Sequence, residues 1–209
     1  AALRYTASSD AIALGLAIAA SLRRFWYIRG GLSEGRAWLS QLLAQADDVP
    51  PVVRAHALSS AGGLAMSQGD YAQAQRLLQE ALVILRACDD QPAVAVALLH
   101  LANCAFYSGE FHRAVALYEE CHSLFQALGD TWGVATALHN FGFCARWQGQ
   151  YERAASLLAA AIEQWEQIGD SANHARSLDV LGEVARCRGD EAQAQALHDE
   201  ALARRRALN

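Results

Sequence analysis

The feature that most constrains this chain is a segment that returns every 40 residues. The segment "GDYAQAQRLLQEAL" begins at Gly69, and related segments begin at three later glycines, Gly109, Gly149 and Gly189. Five residues after each glycine stands an alanine, and seven residues before it stands a glycine or an alanine. A fixed period of this length predicts an array of similar structural units rather than a fold built around one catalytic site.

Each repeat predicts two amphipathic helices joined at the glycine. Upstream of the glycine, apolar and small residues recur at helical spacing. In the first regular repeat these residues are Leu58, Ala61, Gly62 and Ala65. Downstream, the same spacing links Ala74, Leu77, Leu78, Ala81 and Leu85. A glycine suits the left-handed turn that ends a helix, and the small residue within the first helix lets its partner approach closely.

The junctions between repeats carry helix signals of their own. They read "DDVPP", "CDDQP", "LGDTW" and "IGDSA", and they supply Asp as an N-cap, with Pro51 and Pro92 suited to a first helical turn. We predict regular repeats at 50–88, 91–128, 131–168 and 171–207. A degenerate first repeat is predicted at 10–48, with helices over 10–29 and 33–46 and Ser33 or a neighbour as a cap. The expected fold is one all-α solenoid over 1–209, with five helix pairs and about ten helices.

Composition and charge exclude several classes of function. Hydrophobic residues make up 53% of the chain and charged residues 19%, which is typical of a folded protein. The net charge of −5 argues against a large non-specific nucleic-acid surface. All 17 basic residues are Arg, so a P-loop lysine and a Schiff-base lysine are excluded, and "GGLSEGR" reads as a turn.

Cysteine usage and hydropathy indicate a cytoplasmic protein. The five cysteines are scattered and odd in number, which favours reduced thiols over a disulfide scaffold. The apolar run from Ala11 to Leu22 has only 12 residues, too few to span a bilayer. Because the only methionine is Met66, we expect the chain to be part of a longer protein.

The repeat resembles the tetratricopeptide repeat. The family's slots are filled here by Leu58, Gly62, Gly69-Asp70-Tyr71, Ala74 and Ala81. The period of 40 residues exceeds the usual value of about 34, and two positions depart from the pattern: Glu191 stands at the aromatic slot and Cys121 where Ala is usual. The resemblance implies a right-handed superhelix in which the first helix of each pair lines a concave groove.

A narrower resemblance lies in "FWYIRGGLSEGRAWLSQLL" at 25–43, followed by these repeats. It is similar to the helical region of bacterial STAND-type signal-transduction ATPases, including regulators of the LuxR and maltose-regulator type. That resemblance implies a segment that senses an effector or contacts partners, while ATPase and DNA-binding domains lie elsewhere in the protein.

The candidate site follows from the implied groove. Positions between the scaffold residues of the first helices combine aromatic side chains with Asn, His and Arg, a mixture that binding surfaces favour. They are His100, Asn103, Phe106, Tyr107, His139, Asn140, Phe143, Arg146, Trp147 and Arg176. Other interpretations stay open: Phe106 and Trp147 pack between helices, Arg146 pairs with Asp179 or Glu183, and Asn140 bonds a neighbouring helix.

The function expected from these residues is binding without catalysis, of a protein, a peptide or a small effector. The alternative is an assembly scaffold that uses the convex face or the solenoid ends. His100 and Cys104 share a helix face but do not make the three or four ligands of a metal site. Arg204, Arg205 and Arg206 suit a helix C-terminus. We therefore expect no metal, cofactor, membrane contact or direct nucleic-acid contact.

Overall fold

The computed structural model of the chain describes residues 11–208, which form eleven α-helices joined by short turns, without a strand. In chain order they are α1 (Ile12–Ser21), α2 (Arg23–Arg29), α3 (Leu32–Leu43), α4 (Pro51–Ser67), α5 (Tyr71–Ala87), α6 (Gln91–Tyr107), α7 (Phe111–Leu128), α8 (Thr131–Trp147), α9 (Tyr151–Ile168), α10 (Ser171–Cys187) and α11 (Glu191–Arg206). The predicted all-α fold of repeated helix pairs is confirmed.

The chain divides into two compact units between α6 and α7. In the described residues, unit 1 spans 11–110 and contains α1 to α6, and unit 2 spans 111–208 and contains α7 to α11. Within each unit successive helices pack on one another, and α8 also contacts α10, one repeat further along. The division falls inside the predicted second regular repeat, and a single continuous solenoid stays a prediction.

Aspartate caps five of the regular helices. Three of the four junction signals are confirmed, at Asp90, Asp130 and Asp170, but the cap predicted from "DDVPP" is wrong, because Pro50 precedes α4 and no side chain caps that helix. In α5, α6, α8, α10 and α11 the residue before the helix is Asp, and its side chain accepts a hydrogen bond from the backbone N–H three residues on, at 2.9 to 3.3 Å. Gln150, before α9, makes no such bond. Pro51 and Pro92 lie in the first turns of α4 and α6.

The repeat glycines serve the two purposes expected of them. At the turn between the paired helices, Gly69 has a φ of +77° and Gly149 one of +73°, which side chains with a Cβ rarely adopt. Inside the first helices, a Cβ added to Gly62 would lie 2.6 Å from Cγ of Leu78 on the paired helix. The close approach of α4 to α5 therefore requires glycine at position 62.

The first repeat differs from its prediction. The expected helix over 10–29 is broken at Leu22 into α1 and α2, and residue 10 lies outside the described residues. The break turns Trp26 into the core, where it is buried against Gly35 of α3. The residue before α3 is Gly31, and no side chain caps that helix, so the predicted cap at Ser33 is wrong.

Candidate functional site

The predicted site residues of unit 2 lie on the first helices of its two complete helix pairs. On α8, residues 139, 140, 143, 146 and 147 recur at helical spacing, while Leu138, Gly142 and Ala145 between them are buried. A Cβ at Gly142 would lie 2.7 Å from Leu158 of α9, so that side of α8 is committed to packing. We call His139, Asn140, Phe143, Arg146, Trp147 and Arg176 the α8–α10 face.

An aromatic and cationic cluster dominates this face. The guanidinium carbon of Arg146 lies 5.4 Å from the ring centroids of both Phe143 and Trp147. The two rings meet edge to face, with centroids 6.4 Å apart. The Trp147 side chain is 60% exposed. A large aromatic surface thus faces solvent beside a cation that it helps to hold.

Arg146 also has an acidic partner on α10. Its Nη1 donates to Oε2 of Glu183 at 3.1 Å, and Arg186 lies 3.6 Å from the same oxygen. Of the two partners considered from the sequence, Glu183 is therefore the one that Arg146 meets. Asp179 instead pairs with His198 and Arg205.

The Nε of Arg146 is buried and has no hydrogen-bond partner among the described residues. The guanidinium is therefore partly satisfied by the protein and retains an unused donor.

His139 is buried, although the sequence pattern places it on the binding face. Its Nδ1 lies 2.8 Å from Oγ of Ser177, and its Nε2 lies 3.4 Å from Nη2 of Arg176. Burial disfavours the imidazolium ion, and the charge of Arg176 adds to this effect, so the pKa of His139 is lowered to about 4. A neutral His139 joins α8 to α10 beneath the face.

Arg176 is exposed and has only neutral partners within the described residues. Its guanidinium approaches Oδ1 of Asn173 and Nε2 of His139, both at 3.4 Å, which is long for a hydrogen bond. Asn140 lies half-buried on the same face. Arg176 is therefore the cation on this face best placed to accept an external anion.

The predicted site residues of unit 1 lie on α6, and we call His100, Asn103, Phe106 and Tyr107 the α6 face. His100 and Phe106 are buried, and Asn103 is half-buried. The Nδ1 of His100 has no partner among the described residues, and burial, assisted by the charge of Arg23, lowers its pKa to about 3. Tyr107 is the one of these four that is well exposed.

Sequence reasoning missed the partners of these side chains. Tyr71, read as a scaffold residue of the repeat, stacks on Tyr107 with ring centroids 5.2 Å apart and planes 9° from parallel. Trp132, 51% exposed at the start of α8, packs edge to face on Trp165. An aromatic residue in an exposed first turn was the signal that could have identified Trp132.

Three further features of the described residues bear on function: candidate metal-ligand groups, cysteines and candidate membrane-spanning helices. No group of three His, Cys, Asp or Glu residues within 11–208 is arranged to hold a metal ion. All five cysteines are free thiols. Burial raises the pKa of Cys121 to about 12 and that of Cys144 to about 11. Over the same range, every helix is too short or too polar to cross a membrane.

Comparison with solved structures gives several chains of the same fold. BtubC (BKLC) from P. vanneervenii superposes with a TM-score of 0.83 at 22% identity, covering 99% of this chain and 87% of that one. A Rap protein complexed with competence and sporulation factor gives a TM-score of 0.81 at 12% identity, covering 97% and 57%. YrrB, a TPR protein with an unusual peptide-binding site, gives 0.58 at 18% identity, covering 98% and 92%.

Comparison with curated proteins gives no match. The family model described as Tetratricopeptide repeat matches residues 53–127 and 133–207, well over half of the chain. Those two ranges include most of α4 to α11, whose paired helices have the glycine turns and small packing residues of the repeat. The chain belongs to the tetratricopeptide repeat family.

Proposed function

We propose that this chain is a non-catalytic binding module whose α8–α10 face takes up a protein or peptide partner, or a small effector. The observation that carries the proposal is the exposed ring of Trp147 beside Arg146 and Phe143. In its parent protein the chain acts as the sensing or partner-binding segment of a cytoplasmic bacterial signal-transduction ATPase or transcription regulator of the LuxR type.

The repeat itself does not demand these side chains. The positions equivalent to Trp147 in the other regular repeats are Ser67, Tyr107 and Cys187, and those equivalent to Arg146 are Met66, Phe106 and Arg186. A scaffold position would keep one kind of side chain, as Leu58, Leu98, Leu138 and Leu178 do. Variation at the face, together with an exposed tryptophan, favours recognition over packing.

Charge on this face suits a carboxylate. Arg176 has only neutral partners within the described residues, and a planar guanidinium binds carboxylates through paired hydrogen bonds. An acidic side chain or chain end of a partner would meet Arg176 while apolar groups cover Trp147. YrrB, a structural neighbour, is described as having a peptide-binding site, which supports a peptide as the partner.

The test is a selection of peptides from a random displayed library on the whole chain, followed by calorimetric titration of the selected peptides. We expect Trp147→Ala and Arg176→Gln each to weaken binding by about tenfold or more. Val83→Ala, a change to an exposed apolar residue of unit 1, should leave the affinity unchanged. Equal affinity of the wild type and both face variants for the selected peptides would show that the α8–α10 face is not the binding site.

The regulator context is supported by the resemblance of residues 25–43 and is tested separately. The full-length gene should encode an ATPase domain together with this segment. An effector that binds the α8–α10 face should change the ATPase rate of that full-length protein, and Trp147→Ala should abolish the change. A gene without an ATPase domain would overturn this part of the proposal and leave the binding face standing.

A second candidate function, an assembly scaffold, is favoured by one observation in unit 1. Leu14, Phe25, Tyr27 and Ile28 on α1 and α2 are each more than half exposed. An apolar patch of this kind often marks a protein contact. If it drives assembly, light scattering will give a molar mass that rises with concentration, and Phe25→Ser with Ile28→Ser will return the protein to a monomer.

A further inference from the structure

Unit 1 contains a groove of about 490 Å³ between α3 and α5, and α4 forms its third wall. Three apolar side chains line this α3–α5 groove: Leu43, Leu58 and Leu77. Three charged side chains also line it: Arg36, Arg54 and Glu80. The volume lies within the range of about 300 to 1,000 Å³ that is usual for small-molecule sites.

One position that lines the groove departs from the repeat. Ala61 on its wall corresponds to Leu101, Phe141 and Leu181 in the later repeats. In unit 2 the ring of Phe141 is buried against Tyr118, and the guanidinium of Arg153 lies 4.5 Å from its centroid. A large side chain thus occupies this position in the third regular repeat, and the buried Leu101 occupies it in the second, whereas the first regular repeat has only the methyl group of Ala61 there.

A second position departs from the repeat on the same wall. Arg54 corresponds to Val94 and Val134, which are both buried, and to His174. The one hydrogen bond that the Arg54 side chain makes within the described residues runs from Nη2 to Oε1 of Glu80, at 2.9 Å. Since a guanidinium has five N–H donors, most of those on Arg54 remain available to a further acceptor.

The unused N–H donors of the lining favour an anion. Each guanidinium group already has one acidic partner, which is Asp70 for Arg36 and Glu80 for Arg54. Arg36 already donates to Asp70 and Gln68, at 2.7 and 2.8 Å, which leaves Arg54 as the main site for an incoming anion. The leucines offer apolar contact but no hydrogen-bond partner, so they suit a hydrocarbon chain.

We propose that the α3–α5 groove binds a small amphipathic monocarboxylate, with its carboxylate at Arg54 and its hydrocarbon chain along Leu58 and Leu77. The site uses residues of α3, α4 and α5 alone, so it does not depend on the binding proposed for the α8–α10 face. The class of ligand follows from the lining of the groove: the N–H donors of Arg54 that Glu80 does not use suit a carboxylate, and an apolar body replaces the side chain that Ala61 lacks.

The experiment is a titration of the whole chain with octanoate, octanol and octylamine, followed by amide chemical shifts and calorimetry. We expect octanoate to bind saturably at one site, with shifts confined to α3, α4 and α5, and octylamine to bind more weakly. Arg54→Val, which copies Val94, should weaken octanoate binding by about tenfold and leave octanol binding unchanged. Glu80→Gln, which removes the competing carboxylate, should strengthen octanoate binding.

A filled groove provides the second variant. Ala61→Leu, which copies Leu101, should abolish octanoate binding without lowering the unfolding temperature, because the new side chain occupies empty space. Ala72→Leu, on the exposed side of α5, is the matched control and should bind octanoate as the wild type does.

Octanoate binding that does not saturate, a preference for octylamine, or equal octanoate affinity in Arg54→Val and the wild type would each overturn the proposal. These three outcomes decide it even where Ala61→Leu does not fold.

Discussion

The Nδ1 atom of His139 lies 2.8 Å from the hydroxyl oxygen of Ser177. The same oxygen accepts a hydrogen bond from Nε1 of Trp165 at 3.1 Å. Because Arg176 can only donate to the other ring nitrogen of His139, the neutral imidazole with its proton on Nδ1 gives both ring nitrogens and the Trp165 N–H a suitable partner. One buried hydroxyl thereby ties together α8, α9 and α10, the helices on which the α8–α10 face is built.

We expect Ser177→Ala to destabilise the protein by about 3 kcal/mol, because two buried donors, on His139 and Trp165, lose their acceptor. Urea unfolding followed by circular dichroism measures the loss. The matched control is Ser123→Ala, whose exposed hydroxyl bonds only to the carbonyl of Glu119 and whose loss should change the stability by less than about 0.5 kcal/mol. Equal effects of the two substitutions would contradict this assignment.

Acid should destabilise the fold through the same histidine. The pKa of His139 is lowered from 6.5 to about 4 in the folded protein, so between these values the unfolded chain binds more protons. The contribution is therefore absent above about pH 6.5 and grows as the pH falls, reaching about 3 kcal/mol of destabilisation near pH 4.

Unfolding curves between pH 7 and pH 4 should show a smaller loss of stability for His139→Gln than for the wild type. The exposed His112 supplies the control, and His112→Gln should follow the wild-type curve. Parallel curves for His139→Gln and the wild type would show that His139 does not carry the acid sensitivity.

The regular repeats could be predicted from the sequence because their signals are local. Gly69 stands at the turn after α4, and Asp70 caps the next helix, α5. Leu58 and Gly62 share one helical face, so each of these signals acts within a few residues. Their spacing therefore predicted one helix pair for each regular repeat.

The candidate site could be predicted only in part, because burial and pairing depend on the neighbouring helix. His100 and His139 occupy positions of the binding pattern, but Arg23 and Ser177 come from helices far away in the chain and lie against them. The same holds for Trp26, which is buried in the core on α2, beyond the break in the helix at Leu22. The groove at Ala61 required the structure to show that no other side chain fills the space.

Gln150 precedes α9 but does not cap it, so a better capping residue should stabilise the protein. Its backbone, with φ of −82° and ψ of 62°, matches that of the capping residue Asp70, but its side chain makes no cap. We expect Gln150→Asp to raise the free energy of unfolding by about 1 kcal/mol, by bonding the free N–H of Arg153. Gln150→Glu brings the same charge to the start of α9 with a longer side chain, so it separates the hydrogen bond from the helix-dipole effect. Equal gains from the two variants would assign the effect to charge alone.

Asp89 holds a backbone conformation that the equivalent junctions give to glycine. Its φ is +54°, and Gly129 and Gly169, at 40-residue intervals, have φ of +67° and +76°. A side chain in this region costs about 1–2 kcal/mol, which the greater freedom of glycine in the unfolded chain partly offsets. We therefore expect Asp89→Gly to stabilise the protein by about 0.5 kcal/mol and Gly129→Asp to destabilise it by about 1 kcal/mol. No atom lies within 4 Å of a Cβ at Gly129, so the second effect includes no steric clash of the new Cβ. Thermal unfolding of the two variants measures both, and a loss of stability in Asp89→Gly would instead mean that its hydrogen bond from Nε2 of Gln91 outweighs the strain.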